Sequence, residues 1–303
     1  MKPTAWLRRI HDFYLAPQPQ HALVGARILL GLTIFATYAT RLPGSQLLFG
    51  PDGMAGSSFY QRLPDAPAFN RRVSEAFRVL ADAGSAEVIL GLQLLLVVAA
   101  LAFAAGAFTR TTGALTLVLH LLFYARNPFV YEGSWAEFIH APLLYVICSG
   151  AGRHLSVDAF RAGRRGRPAA SWLGPGWPLR LMQIHICCMY LAAGWSRFDK
   201  ESWLTGELVY VALSGATHSR LVLDWGPVMP ILAIGTWGAL FLEVTAPIAL
   251  WPRFTRRAWA LALVALHLGL ELLTNVGWWQ SVMIAGLLSF LLPWRPRTRD
   301  GSA

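Results

Sequence analysis

The chain has 303 residues, 55% of them hydrophobic and only 14% charged, with a mean hydropathy of +0.45. Soluble domains carry about 25% charged residues, so this set is too small to cover a water-soluble globule of this size, and a polytopic membrane protein is expected. The net charge of +10 does not point to nucleic acid, because the basic residues sit between apolar spans and form no single stripe.

In chain order, residues 1–20 place Lys2, Arg8 and Arg9 beside Trp6, Phe13 and Tyr14. That mixture fits an amphipathic segment lying at the interface. The first apolar run begins near residue 22, is a full span long and lacks a small-residue cleavage site, so no cleavable signal peptide is expected. Spans are predicted over 22–40, with Arg27 inside, and over 86–106. Two shorter ones follow at 111–125, with His120, and 135–150, with Glu137 and His140. A span needs about 20 residues to cross the hydrocarbon core, which the second meets comfortably. Between the first two runs lies a long loop with the turn-rich GPDGMAGSS and the amphipathic FNRRVSEAFRVL. A basic Gly/Pro-rich loop, 151–178, contains RAGRRGRP. The later spans are 179–195, 228–251 with Glu243, 258–276 with His267 and Glu271, and 278–293. Residues 203–226 read as a short helix and turn at the interface. The whole is expected to be a single all-α domain, 1–303, a bundle of about eight transmembrane helices.

Eight spans put both termini on one side. Fifteen of the 26 basic residues then fall on that side, the largest group in the 151–178 loop. The positive-inside rule makes it the cytoplasm. A probe in 50–60 is therefore expected outside the cell and one in 162–170 inside. Trp135, Trp195, Trp203, Trp278 and Trp279 fall at one outer level and read as an aromatic belt. The three cysteines, Cys148, Cys187 and Cys188, lie in apolar spans and read as small buried hydrophobes.

The stretch 181–206, LMQIHICCMYLAAGWSRFDKESWLTG, is the most distinctive. An apolar helix carrying His185 breaks at Gly194-Trp195 into Ser196, Arg197, Asp199, Lys200 and Glu201, and closes on Trp203 and Gly206. Its YLAAGWSRFDKESWLTG resembles the aromatic-Ala-Gly, basic residue, Trp-x-x-Gly pattern of the horizontally transferred transmembrane (HTTM) family, the bacterial relatives of vitamin K-dependent gamma-carboxylase. ARILLGL, RNPFVYEGSW, GRHLSVDAF, FLEVTAPIALWPRFTRR and HLGLELLTNVGWWQSVMIAGLLSFLLP resemble further family segments in the same order. The resemblance implies a helical bundle of the bacterial inner membrane, working on its extracytoplasmic side. It also implies that a lysine after the Ala-Gly pair deprotonates a hydroquinone. The matching positions here are Ser196 and Arg197, and an arginine cannot serve as a general base at neutral pH.

The remaining intramembrane ionisable residues are the other candidates. Such groups are costly in hydrocarbon and face a cavity or a partner. His267 and Glu271 share one helix face at i and i+4. With Arg197 and His140 they form the expected catalytic set. Lys200, Arg126 and Trp203 are the expected substrate-binding set. Arg197 is expected to hold an anionic or carbonyl group or to neutralise Glu271, with all of these around one outward-open cavity. Arg27 and Glu243 are expected to pair in the cytoplasmic half. Neither H-x-x-x-H nor H-E-x-x-H occurs, so no metal site is expected. Two functions fit. One is a membrane enzyme acting on a quinone-type lipid or a peptide. The other is a non-catalytic accessory, immunity or transport protein on the same scaffold.

Overall fold

The computed structural model describes residues 5–51, 53, 84–127, 138–215, 218–275 and 279–292. These residues form thirteen α-helices and one two-stranded β-ribbon. Glu137, Trp135, Trp278 and FNRRVSEAFRVL lie outside the described residues. The chain divides into two compact units. One comprises Met1–Ala26, Ser171–Val276 and Met283–Ala303; the other comprises Arg27–Ala170 and Gly277–Val282.

The second unit holds most of α2 (His21–Ala39), followed by α3 (Ser45–Phe49), α4 (Ala86–Ala105), α5 (Thr109–Arg126), α6 (His140–Ile147) and the short α7 (Val157–Arg164). Here α4 packs along α5, and α5 along α6. Gly31 lets α2 approach α4 closely, since a Cβ there would lie 2.8 Å from both the backbone nitrogen and the Cβ of Ala104. Small residues at such crossings let backbones come together where lipid offers no hydrophobic drive for association. Two buried hydroxyls on these apolar helices find an acceptor within their own helix. Thr33 donates to the Leu29 carbonyl and Thr116 to the Thr112 carbonyl, both four residues back.

The sharp corner between α4 and α5 depends on Gly106, at φ +70°. A side chain there would be strained by the left-handed backbone and would collide with Ser156 and the Arg27 guanidinium. Arg27, fully buried, donates to the carbonyls of Ala151 (2.9 Å), His154 (3.3 Å) and Leu155 (2.6 Å). It thereby ties the loop after α6 to α2. The expected Arg27–Glu243 pair is thus replaced. The planar guanidinium fork meets carbonyls left without helical partners beyond a helix end, and Glu243 is paired elsewhere.

The first unit opens with α1 (Ala5–Leu15), whose Trp6, Leu7 and Ile10 are exposed. Arg180 fastens it, donating to the Phe13 carbonyl and lying 4.7 Å from the Phe13 ring centre. Strands β1 (Gln18–Pro19) and β2 (Leu173–Gly174) pair antiparallel. Next come α8 (Trp177–Trp195), α9 (Glu201–Leu204), α10 (Leu208–Ser214), α11 (Met229–Ala249) and α12 (Arg256–Leu273), with most of α13 (Trp279–Leu291) completing the unit. Its centre is α11, packed on α8, α10 and α12.

A helix occupies part or all of each predicted span. Three stretches are long and apolar enough to cross a membrane by length and composition: His21–Ala39, Ala86–Ala105 and Gly226–Ala249. Their surfaces agree with that use. Leu90, Leu94, Leu95, Val98 and Leu101 are exposed along α4, as are Ile231, Ile234, Trp237, Phe241 and Ile248 along α11. Exposed apolar faces of this extent would be aggregation-prone in water and are at home in lipid. Among the described residues of the fourth predicted span, α6 supplies eight in one helix. At 1.5 Å per residue that length is well short of the roughly 30 Å hydrocarbon core.

Candidate functional site

In the first unit, three helices turn buried stripes toward one another. On α8 the stripe includes Gln183, Ile186, Cys187, Tyr190 and Gly194. On α11 it is Thr236, Ala239, Glu243 and Ala246, and on α12 it is Ala260, Leu263 and His267. The spacings of three, four and seven residues are those of one helix face. Each stripe carries at least one strongly polar side chain into an apolar environment, where a polar group must find a partner.

Tyr190 and His267 find each other. The tyrosine hydroxyl lies 2.7 Å from His267 Nε2, and both residues are 1% exposed. Which atom donates depends on the imidazole tautomer. Just past α8 the backbone folds into successive turns, with the Arg197 amide donating to the Gly194 carbonyl and the Trp203 amide to the Lys200 carbonyl. These turns fold Arg197 back. Its guanidinium forms an ion pair with Glu243 and lies 4.0 Å from the centre of the Trp203 ring. Arg197 follows Tyr190 by seven residues, and its partner Glu243 lies on the α11 stripe packed against α8. Tyr190 and His267, with Arg197, Glu243 and Trp203 toward the end of α8, make up the candidate group, in which the Arg197 side chain is partly exposed. The group combines a phenol–imidazole hydrogen bond with a fixed cation partly offset by a carboxylate.

Three of the predicted residues, His267, Arg197 and Trp203, are in this group. Glu271 is not. Although it sits one turn beyond His267 on α12, its Oε1 accepts from Arg220 Nη2 at 3.0 Å. Arg220 Nε also donates to the Thr274 carbonyl, and Ser219 bridges to Thr274. The Arg220–Glu271 pair fastens the 218–220 turn to the end of α12, so Glu271 is neutralised by Arg220 and not by Arg197 as expected. Lys200 is exposed. Arg126 and His140 belong to the second unit. There Arg126 donates through Nε to the Phe49 carbonyl, and Asn127 donates to the Leu48 carbonyl. The His140 ring centre lies 5.0 Å from that of His120 and 5.6 Å from that of Tyr124. His120 Nδ1 is 2.9 Å from the Tyr38 hydroxyl, giving this unit a buried tyrosine–histidine pair of its own.

Sequence reasoning missed Tyr190 and gave Glu243 the wrong partner. Tyr190 precedes Arg197 by seven residues, a two-turn spacing that signals a shared face when the helix is read through its end.

The sequence profile of the HTTM domain matches residues 75–294, more than half of the chain. The chain belongs to the HTTM domain family. No curated protein and no solved structure matches it. Its helices and their apolar surfaces make this HTTM protein a helical membrane protein. The matched region includes the candidate group on α8, α11 and α12.

Proposed function

We propose that this HTTM protein is a multi-pass enzyme of the cytoplasmic membrane. In this reading it has about eight crossings, cytoplasmic termini, and a proton-transfer site at Tyr190 and His267 for a lipophilic, quinone-type substrate. The observation that carries the reading is the buried Tyr190–His267 hydrogen bond, on the helix that leads into the Arg197–Glu243 pair. A phenol and an imidazole in low dielectric form a donor–acceptor pair able to take a proton from a hydroquinone hydroxyl or return one to an oxyanion. Arg197 stays protonated and supplies charge rather than base strength. The donor set suits a quinone in kind, since phenol, imidazole and guanidinium N–H groups all bond an oxygen that alternates between carbonyl and hydroxyl. Lipid extraction of the purified protein followed by mass spectrometry tests this. A quinone recovered with wild type and depleted in His267→Ala supports the site. Equal recovery from both, or none from either, contradicts it.

A second reading rests on a different observation. Arg197, at the position where the family resemblance implies a lysine base, is already engaged by Glu243 and Trp203. That engagement favours a non-catalytic accessory or transport role on the same scaffold, with the candidate group as internal glue. Under this reading, Tyr190→Phe and His267→Ala lower thermal stability and leave the cellular phenotype intact wherever the protein still accumulates.

A further inference from the structure

Two cavities of mixed polar and apolar lining share Arg153 in the second unit. One, of about 530 Å³, is lined by Thr109, Arg110, Thr111, Ser149, Arg153 and Asp158, among others. Its neighbour, of about 440 Å³, shares Arg153 and Asp158 and continues along α7 to Arg167. Asp158 is the acidic residue lining either cavity, and its oxygens are committed. They accept from the Phe108 and Thr109 amides at 2.8 and 2.9 Å and from the Thr109 hydroxyl at 2.9 Å. Arg110, Arg153 and Arg167 are exposed and form no ion pair among the described residues. The cavities therefore present an excess of unspent guanidinium groups.

The surface at and beside the cavities also carries exposed apolar side chains. Phe108, Leu155 and Phe160 are 65%, 72% and 65% exposed. Phe108 and Leu155 are also, among the described residues, the non-glycine residues with positive φ, at 49° and 43°. Side-chain-bearing residues rarely adopt that backbone, and it is retained where surrounding structure enforces it. Here the enforcement is visible. Asp158 grips the Phe108 amide, and Arg27 holds the Leu155 carbonyl. Arg161 lies 5.0 Å from the Phe108 ring centre and Arg164 6.0 Å from that of Phe160.

We propose that this corner binds an anionic phospholipid, its phosphate received by Arg110 and Arg153 and its acyl chains lying against Phe108, Leu155 and Phe160. Basic pockets beside membrane helices at the cytoplasmic face suit anionic headgroups. The apolar rim distinguishes a lipid from free phosphate, because a soluble ion has no use for it. The site involves neither Tyr190 nor His267 and stands apart from the proton-transfer reading.

The test is native mass spectrometry of the detergent-purified full chain with an equimolar mixture of phosphatidylglycerol and phosphatidylcholine. Wild type retains phosphatidylglycerol in preference. Each surface arginine contributes about fivefold, so Arg153→Gln reduces retention about fivefold and Arg110→Gln with Arg153→Gln about thirtyfold. Arg253→Gln with Arg257→Gln removes the same charge elsewhere and leaves retention unchanged. Phe108→Ser weakens retention while all the arginines are kept. Equal retention of both lipids, equal losses in the two double variants, or binding of glycerol phosphate without phosphatidylglycerol would each overturn the assignment.

Discussion

At the residue scale, the buried charges are resolved by two different means. Arg27 is satisfied by three carbonyls and Arg197 by a carboxylate. The difference has an energetic consequence. Removing one member of a buried ion pair strands the other charge and costs about 3–5 kcal/mol, whereas removing both with apolar replacements can be nearly neutral. Arg197→Leu and Glu243→Leu are therefore each expected to lower the melting temperature in detergent. The double variant is expected to lose much less than the sum of the two. A strictly additive loss would mean that the two side chains do not depend on each other. The sequence showed that Glu243 needed a basic partner but could not say which. Arg27 and Arg197 were both available by composition, and only the fold of the 196–200 turns brings Arg197 back toward α11.

At the element scale, apolar periodicity located the helices well. His21–Ala39, Ala86–Ala105 and Met229–Ala249 fall within two residues of the expected spans. Long runs of Leu, Ala and Val leave little choice of boundary, and Gly106 or the 251–255 turn ends them. The polar connections were far less legible. The role of Asp158, which caps the start of α5 from the first turn of α7 about 50 residues away, depends on a tertiary contact that no local pattern announces. It makes a testable contribution. Burial alone would raise the Asp158 carboxyl, but the amides of Thr109 and Phe108, the Thr109 hydroxyl and the Arg161 charge outweigh that and hold it below the usual range. A carboxylate with a depressed folded value stabilises the protein above its unfolded pKa of about 3.9 and loses that contribution as pH falls through the folded value. Wild type should therefore lose melting temperature below about pH 4 more steeply than Asp158→Asn, which starts lower and lacks this acid-sensitive component. Parallel curves would remove Asp158 from the stabilising network. Gly106→Ala, at the same corner, is expected to reduce accumulation of folded protein, because both its backbone and the space around it are closed to a methyl group.

At the scale of the whole molecule, composition alone pointed to the membrane, and the HTTM profile and apolar helix surfaces agree. The proposed direction of insertion rests on the positive-inside rule, with the arginines of the 151–167 segment as its largest group, and is open to direct test. With the three native cysteines replaced, an impermeant thiol reagent applied to intact cells should label Leu47→Cys and spare Gly163→Cys. The reverse pattern would invert the molecule and move the site to the cytoplasmic half. The candidate site was partly legible. His267, Arg197 and Trp203 were named by their chemistry, while the pairing of Glu271 with Arg220 across the 218–220 turn could not be read from its spacing to His267. The central claim is that Tyr190 and His267 together meet an oxygen of a quinone-type substrate. Its most direct measurement is a titration of the detergent-purified protein with a short-chain 1,4-naphthoquinone, followed by tryptophan quenching. The account predicts saturable binding, weakened roughly tenfold in Tyr190→Phe and in His267→Ala, as loss of one buried hydrogen bond to the ligand implies. Unchanged affinity in both folded variants, or no saturable binding by wild type, would contradict it.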